Sequence, residues 1–214
     1  SQFTKLLQEN SFTMQLKLLL VLGILINVGV QGQTKEAKMK SIFNGKNLEQ
    51  WKVPDNNIWW TVKDGILYGK SDPTKTGSDL WTKSDYKDFV IQLDFKFGEG
   101  TIDSGIFMRG EDARNPQIQI GISGSLKRDM TASPYVPKQG YPVEAQGVQQ
   151  LLKQNDWNTI KARAVGNTYT VWLNGKEVMN YTLENANLEG PVGLQVHPGK
   201  DMSIAFRNIY LAKL

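Results

Sequence analysis

From about residue 41 onward, apolar and polar positions alternate in short runs, and Gly, Asn or Asp interrupts them roughly every eight to twelve residues. That is the period of antiparallel strands. In residues 89–97, Phe89, Ile91, Leu93, Phe95 and Phe97 share one face, and Gln92, Asp94 and Lys96 share the other. Residues 117–122 repeat the pattern, with the isoleucines inward and Gln117 and Gln119 opposite. Both segments read as half-buried strands. Residues 168–173 and 176–179 flank Asn174-Gly175, a pair that supplies the positive φ angles of a two-residue type I′ turn, so the segment is a predicted hairpin. Residues 60–62 and 66–68 flank Lys63-Asp64-Gly65 in the same way, and late strands are predicted over 191–196 and 203–211. Residues 123–154 follow neither period and hold Pro134, Pro137 and Pro142, which predicts a long connection with at most a short helical piece near 149–153. Ordered connections of that length are more often functional than decorative. Many short strands without βαβ alternation predict an all-β fold, a two-sheet antiparallel jelly-roll sandwich.

The N-terminal pattern is different. Met14-Gln15-Leu16-Lys17 precedes an apolar run over 18–30 that is interrupted by Gly23, Asn27 and Gly29. The run is shorter than the roughly 18 to 20 apolar residues of a membrane-spanning helix. Val30-Gln31-Gly32 offers small or aliphatic residues where a signal peptidase cuts. Residues 14–32 therefore read as a signal peptide, 1–13 as an over-extended upstream segment, 33–40 as a short linker and 41–214 as one domain. A periplasmic or secreted product is expected, with no stable membrane insertion after cleavage; an N-terminal anchor helix is the competing reading. The chain has no Cys, which excludes disulfides and a lipid-modified cysteine. A formal net charge of +4, with basic and acidic residues interspersed, gives no stripe for nucleic acid.

Candidate chemistry then narrows the picture. Trp51, Trp59, Trp60, Trp81, Tyr135, Tyr141, Trp157 and Trp172 are candidate sugar platforms, because an aromatic face packs against the C–H face of a pyranose. Core packing is the competing reading and is favoured for Trp157 and Trp172. Tyr135 and Tyr141 lie in the long connection and are better placed for a site. The one histidine, His197, shares a strand face with Gln195 by alternation. Arg109, Gln117 and Gln119 are predicted on the same sheet face, a polar surface suited to hydroxyls and carbonyls, with a merely solvated outer face as the alternative. No cofactor is expected. Asp103, Glu111 and Asp112 are the only opening for a divalent cation, and their spacing matches no standard loop.

In order along the chain stand Ser41-Ile42-Phe43-Asn44-Gly45-Lys46-Asn47-Leu48-Glu49-Gln50-Trp51, Val62-Lys63-Asp64-Gly65-Ile66-Leu67, Asp103-Ser104-Gly105-Ile106-Phe107-Met108-Arg109, Asp156-Trp157-Asn158 and Leu173-Asn174-Gly175. Gly190-Pro191-Val192-Gly193-Leu194-Gln195-Val196-His197 and Phe206-Arg207-Asn208-Ile209 complete the series. These seven motifs resemble the 3-keto-disaccharide hydrolase domain family from about residue 41 to 214. The resemblance implies a concanavalin A-like lectin/glucanase sandwich, a carbohydrate substrate and, in some members, hydrolysis or elimination of glycosides oxidised at C3. The chain departs from the family pattern where members commonly carry Glu shortly after a Tyr, here Pro116-Gln117, and Asp after the strand, here residues 121–123.

A ketone at C3 acidifies the C2 proton, and the glycosidic oxygen at C1 leaves by elimination, with hydration afterwards. Such chemistry needs a base, an enolate donor and an acid. His197 is the candidate base or acid and Arg109 the candidate enolate stabiliser. Gln117, Gln119 and Gln195 are candidate orienting groups, Tyr135 and Tyr141 further substrate contacts, and Glu111 and Glu144 reserve carboxylates. A direct glucanase would need a strand-borne Glu-x-Asp-x-x-Glu; Glu184 and Glu189 have the outer spacing, but Ala186 stands between them. The alternative from another class is a non-catalytic carbohydrate-binding module.

Overall fold

The computed structural model describes residues 37–214. The expected signal peptide and the segment upstream of it lie outside the described residues. The strands are β1 (Lys40–Ser41), β2 (Trp51–Lys52), β3 (Trp60–Lys63), β4 (Ile66–Lys70), β5 (Ser78–Tyr86), β6 (Phe89–Gly100), β7 (Asp103–Met108), β8 (Gln117–Gly121) and β9 (Pro134–Tyr135). After a single helical turn, α1 (Val148–Leu151), come β10 (Asn158–Val165), β11 (Thr168–Leu173), β12 (Lys176–Thr182), β13 (Gly190–Val196) and β14 (Met202–Lys213). They form two antiparallel sheets. The eight-stranded sheet runs β12-β11-β10-β6-β14-β4-β3, with β1 also on β14, and the six-stranded sheet runs β2-β5-β13-β7-β8-β9.

The alternation read from the sequence is what closes the sandwich. Phe89, Ile91, Leu93 and Phe95 of β6 are fully buried, and they share one core with Ile106, Ile118, Ile120, Val192, Leu194 and Val196 of the other sheet. Burying side chains of this size contributes about 1.5–3 kcal/mol each, so a register slip of one residue in either sheet is strongly disfavoured. Both predicted hairpins are present. Asn174 and Gly175 have φ of 49° and 85°, and Asp64 and Gly65 have 53° and 78°, the left-handed pair that a type I′ turn demands.

Two expectations change. β8 is buried on both faces, because residues of the long connection cover its glutamine face. Trp157 and Trp172, expected in the core, are only partly buried. Trp172 lies on the outer face of the eight-stranded sheet, since Val171 and Leu173 beside it occupy the core. Trp51 and Trp60 are the tryptophans that fill the core, which removes them as sugar platforms.

Candidate functional site

In the six-stranded sheet, Leu80, Val192, Leu194, Val196, Ile106 and Ile118 turn inward. Their neighbours Asp79, Trp81, Gln195, Asp103, Phe107, Gln117 and Gln119 therefore turn outward. Register places Trp81, Gly193, Phe107, Gln117 and Tyr135 in one row across five strands. Two glycines make that row possible. A Cβ on Gly193 would come within 2.5 Å of the Trp81 ring, and one on Gly105 within 2.8 Å of the Gln117 side chain. With both positions bare, Trp81 closes on Phe107, ring centroids 4.9 Å apart, and Gln117 lies flat toward Gln195.

Over this face the loop 109–116 and the connection after β8 raise two walls, enclosing a cleft of about 600 Å³. Its lining includes Asp103, Phe107, Glu111, Asn115, Gln117, Gln119, Tyr135, Tyr141, Gln195, His197 and Lys200. Tyr135 and Tyr141 meet edge to face at 5.3 Å. Burial pushes the Tyr141 phenol up to about 12, against a hydrogen bond with Ser123 and with help from the Asp103 charge, so it is a neutral hydroxyl at physiological pH.

The polar groups form a chain with open ends. Gln117 Nε2 donates to Gln195 Oε1 at 2.8 Å, and Gln119 Nε2 donates to Asp103 Oδ1 at 2.8 Å. Asp103 is 3 % exposed, and its Oδ2 has no hydrogen-bond partner. His197 Nε2 and Lys200 Nζ each stand 3.9 Å from that oxygen. His197 Nδ1 lies 2.6 Å from the Pro198 carbonyl, which can only accept, so Nδ1 carries the proton and Nε2 faces the cleft as the exchangeable position. Beside Gln195 on the next strand, burial and then the charge of Glu111 push the Asp79 carboxyl up to about 7, with Gln195 partly offsetting them.

The structure thus brings His197, Glu111, Gln117, Gln119, Gln195, Tyr135 and Tyr141 to one cleft. It does not bring Arg109 or Glu144. The expectation that Arg109 stabilises an enolate is corrected: its side chain is buried on the far side of the strand end. There Nε donates to Lys87 O at 2.7 Å, Nη1 to Gly166 O at 2.6 Å and to the Tyr169 hydroxyl at 3.2 Å, and Nη2 pairs with Asp88 at 3.3 Å. Every edge of the guanidinium is used in fastening two turns. Glu144 lies outside the cleft lining in a two-pronged pair with Arg128, which holds its carboxyl below the usual range. Among the described residues no three His, Asp or Glu side chains are placed to hold one metal ion, and Asp112 is engaged by Arg114, which keeps its carboxyl down at about 2. Sequence reasoning missed Lys200 and Asn115, which reach the cleft from turns, and saw Asp103 only as a cation ligand. The offset of Lys200 three residues past His197 was the available signal.

A jelly-roll sandwich with an aromatic-edged amide and acid cleft on its smaller sheet is a class of fold that a carbohydrate binding module also has. Within that class the chain belongs to the family described as the 3-keto-alpha-glucoside-1,2-lyase-like domain, whose model matches residues 38–212. Among solved structures it is similar to two proteins of Parabacteroides distasonis ATCC 8503 that carry the provisional name glycosyl hydrolase. One has 26% identity and a TM-score of 0.60 over 83% of this chain and 100% of that one. The other has 19% identity and a TM-score of 0.64 over 82% and 94%. The carbohydrate binding module CBM66 from Bacillus subtilis shares the fold at 17% identity and a TM-score of 0.50, over 77% of this chain and 96% of that one. Among curated proteins no match to this chain was found.

Proposed function

We propose that the cleft takes a glycoside oxidised at C3 and cleaves it by elimination followed by hydration. The observation that carries this reading is His197, whose Nδ1 is committed to the Pro198 carbonyl while Nε2 faces the cleft beside the buried Asp103 carboxylate. Nε2 takes the C2 proton, and the electron pair moves onto the C3 carbonyl oxygen as an enolate. The enolate collapses to restore the C3 carbonyl and form the C1–C2 double bond, breaking the C1–O bond, and the leaving oxygen receives the proton that His197 Nε2 took from C2. Water then adds across C1 and C2, oxygen to C1 and proton to C2. Asp103 supplies the negative charge that accompanies the imidazolium once the proton has moved. With Arg109 removed from the site, the enolate donors are Lys200 and the second N–H of Gln117, whose first is spent on Gln195, while Gln119 gives its two N–H groups to Asp103 and to the Ile122 carbonyl. The Phe107 ring and the Tyr135–Tyr141 pair of the cleft lining flank the disaccharide along its length. The same reading has the protein exported, supported by the pattern of residues 14–32; N-terminal sequencing of the exported product is expected to start at Gln33.

The test uses residues 33–214 with a 3-keto-glucoside and its unoxidised counterpart in D₂O. Turnover of the 3-keto sugar alone, with deuterium at C2 of the product, is expected. His197→Ala is expected to lower kcat by about 10²–10⁴-fold, the range for a general base, with sugar binding retained. Unchanged turnover in His197→Ala, or equal turnover of the unoxidised glucoside, overturns the proposal. Sugar binding without any turnover turns the assignment to a binding module.

A further inference from the structure

The cleft has a second end that the elimination does not use. Gly110, Glu111 and Asn115 form it, at the far end of β7 from Asp103, His197 and Lys200. Asn115 is 3 % exposed, and its Nδ2 donates to the Arg109 carbonyl at 2.5 Å. A carbonyl can only accept, so that bond fixes which way the amide points. Asn115 Oδ1 is left buried, in the cleft wall, with no hydrogen-bond partner. A buried acceptor without a protein donor is uncommon, and a small turn of this wall side chain toward the cleft would offer it to a donor there. The same condition holds at Asp103 Oδ2. The two acceptors mark opposite ends of a six-residue strand, roughly 16 Å apart at the rise of an extended chain. Between them Phe107 presents its ring in the cleft, backed by Trp81.

The charge along the cleft is uneven as well. Its lining cation, Lys200, stands with Asp103 and the His197 imidazole at one end; at the other the lining charges are Glu111 and Asp112, and Arg114 is spent on Asp112 through two nitrogens. A ligand group at that end must donate hydrogen bonds and carry no negative charge.

We propose that the Gly110–Glu111–Asn115 end is a second sugar subsite, which holds the leaving-group sugar by its hydroxyl donors and rejects sugars that bear a carboxylate. The proposal rests on the reading of the His197 end as the seat of the reacting ring. Phe107 supports the C–H face of the second ring, Asn115 Oδ1 accepts from one hydroxyl and Glu111 from another.

Three substrates test it: a 3-keto-glucosyl disaccharide with a neutral hexose leaving group, the same with a uronate leaving group, and a 3-keto nitrophenyl glucoside. The unaltered protein is expected to prefer the neutral disaccharide to the uronate by about tenfold or more in kcat/KM, and Glu111→Gln to narrow that preference. Asn115→Ala is expected to lower the ratio of disaccharide to nitrophenyl turnover by about tenfold, the size of one hydrogen bond. No preference against the uronate, or a ratio unmoved in both variants, overturns the subsite. Glu111 is exposed, so Glu111→Gln keeps the test open if Asn115→Ala does not fold. If the unaltered protein turns over none of the three, the elimination fails and calorimetric titration decides the subsite. Tighter binding of the neutral than of the uronate disaccharide, with the difference reduced in Glu111→Gln, supports it, and equal binding of the two overturns it.

Discussion

On the outer face of the eight-stranded sheet the polar groups answer one another. Asp94 accepts from Thr159 Oγ1 at 2.7 Å, from Asn208 Nδ2 at 2.8 Å and from Arg207 Nε at 3.3 Å. Trp157 and Trp172 lie under cations, with Arg207 and Lys161 at 4.0 and 4.5 Å from their ring centroids. On the six-stranded sheet the outer face is also aromatic and polar, yet Asp103 and Asn115 each keep a buried acceptor without a donor. Residue types therefore do not separate the two faces. Satisfaction does: the protein's own groups complete one set of hydrogen bonds and leave two acceptors of the other without a protein donor.

Arg109 offers the largest effect by which to break that contrast, because it is the buried cation that the sequence assigned to the cleft and the structure assigns to the scaffold. Arg109→Met strands the Lys87 and Gly166 carbonyls and leaves Asp88 without its cation, with only the Gly166 N–H on the same oxygen. A loss of about 3–5 kcal/mol in unfolding free energy is expected in urea titrations. The fraction that folds should bind sugar as the unaltered protein does. Full stability with lost turnover would return Arg109 to the chemistry.

The reason that Arg109 misled is specific. Asp103, Gly105 and Phe107 face outward, so parity carries residue 109 outward too. The strand ends at Met108, and Arg109 adopts a φ of 75°, which turns its side chain away from the cleft. Alternation holds only while the backbone stays extended. Within the strands it served well: the inward set of β6, both two-residue turns, and the common face of Gln195 and His197 were legible because period 2 and Asn-Gly or Asp-Gly chemistry are local properties. Trp172 was legible in principle, since Val171 and Leu173 claim the inner face, but aromatic character outweighed parity in the reading. Glu144, Lys200 and Asn115 sit where no period operates. Their positions depend on contacts made across the fold, Glu144 with Arg128 and Asn115 with the Arg109 carbonyl.

A smaller effect sharpens the contrast between two carboxylates. Asp94 is surrounded by donors, whereas Asp79 is half-buried near Glu111 and its carboxyl is raised to about 7 from an ordinary 3.8. The folded protein thus holds this proton more tightly than the unfolded chain does. The stability that Asp79 contributes is complete below about pH 4 and is lost as pH rises through about 7. Asp79→Asn should flatten the dependence of the urea midpoint on pH between 5 and 8 and gain on the order of 1 kcal/mol at pH 8. An unaltered pH profile would mean that Asp79 is solvated like a surface acid.

The smallest effect on sugar binding belongs to the self-satisfied face, and its smallness is the point. Arg207 is partly exposed, its stacking on Trp157 is a surface cation–π contact and its bond to Asp94 is one of three that the carboxylate receives. Contacts of this kind contribute about 0.5–1 kcal/mol each at exposed sites. Arg207→Ala, which removes two of them, is therefore expected to lower unfolding free energy by about 1–2 kcal/mol at most. It uncovers the Trp157 ring, which makes it the harsher test for sugar binding, since a bare tryptophan on a flat sheet is itself a platform for a pyranose. If hydrogen-bond satisfaction distinguishes the two faces, the variant's affinity for sugar stays that of the unaltered protein, because Asp94 loses the Arg207 bond but keeps a donor on each oxygen, from Thr159 and Asn208. If affinity rises, aromatic exposure alone makes a binding face in this fold, and the unpartnered oxygens of Asp103 and Asn115 lose their standing as the marks of the site.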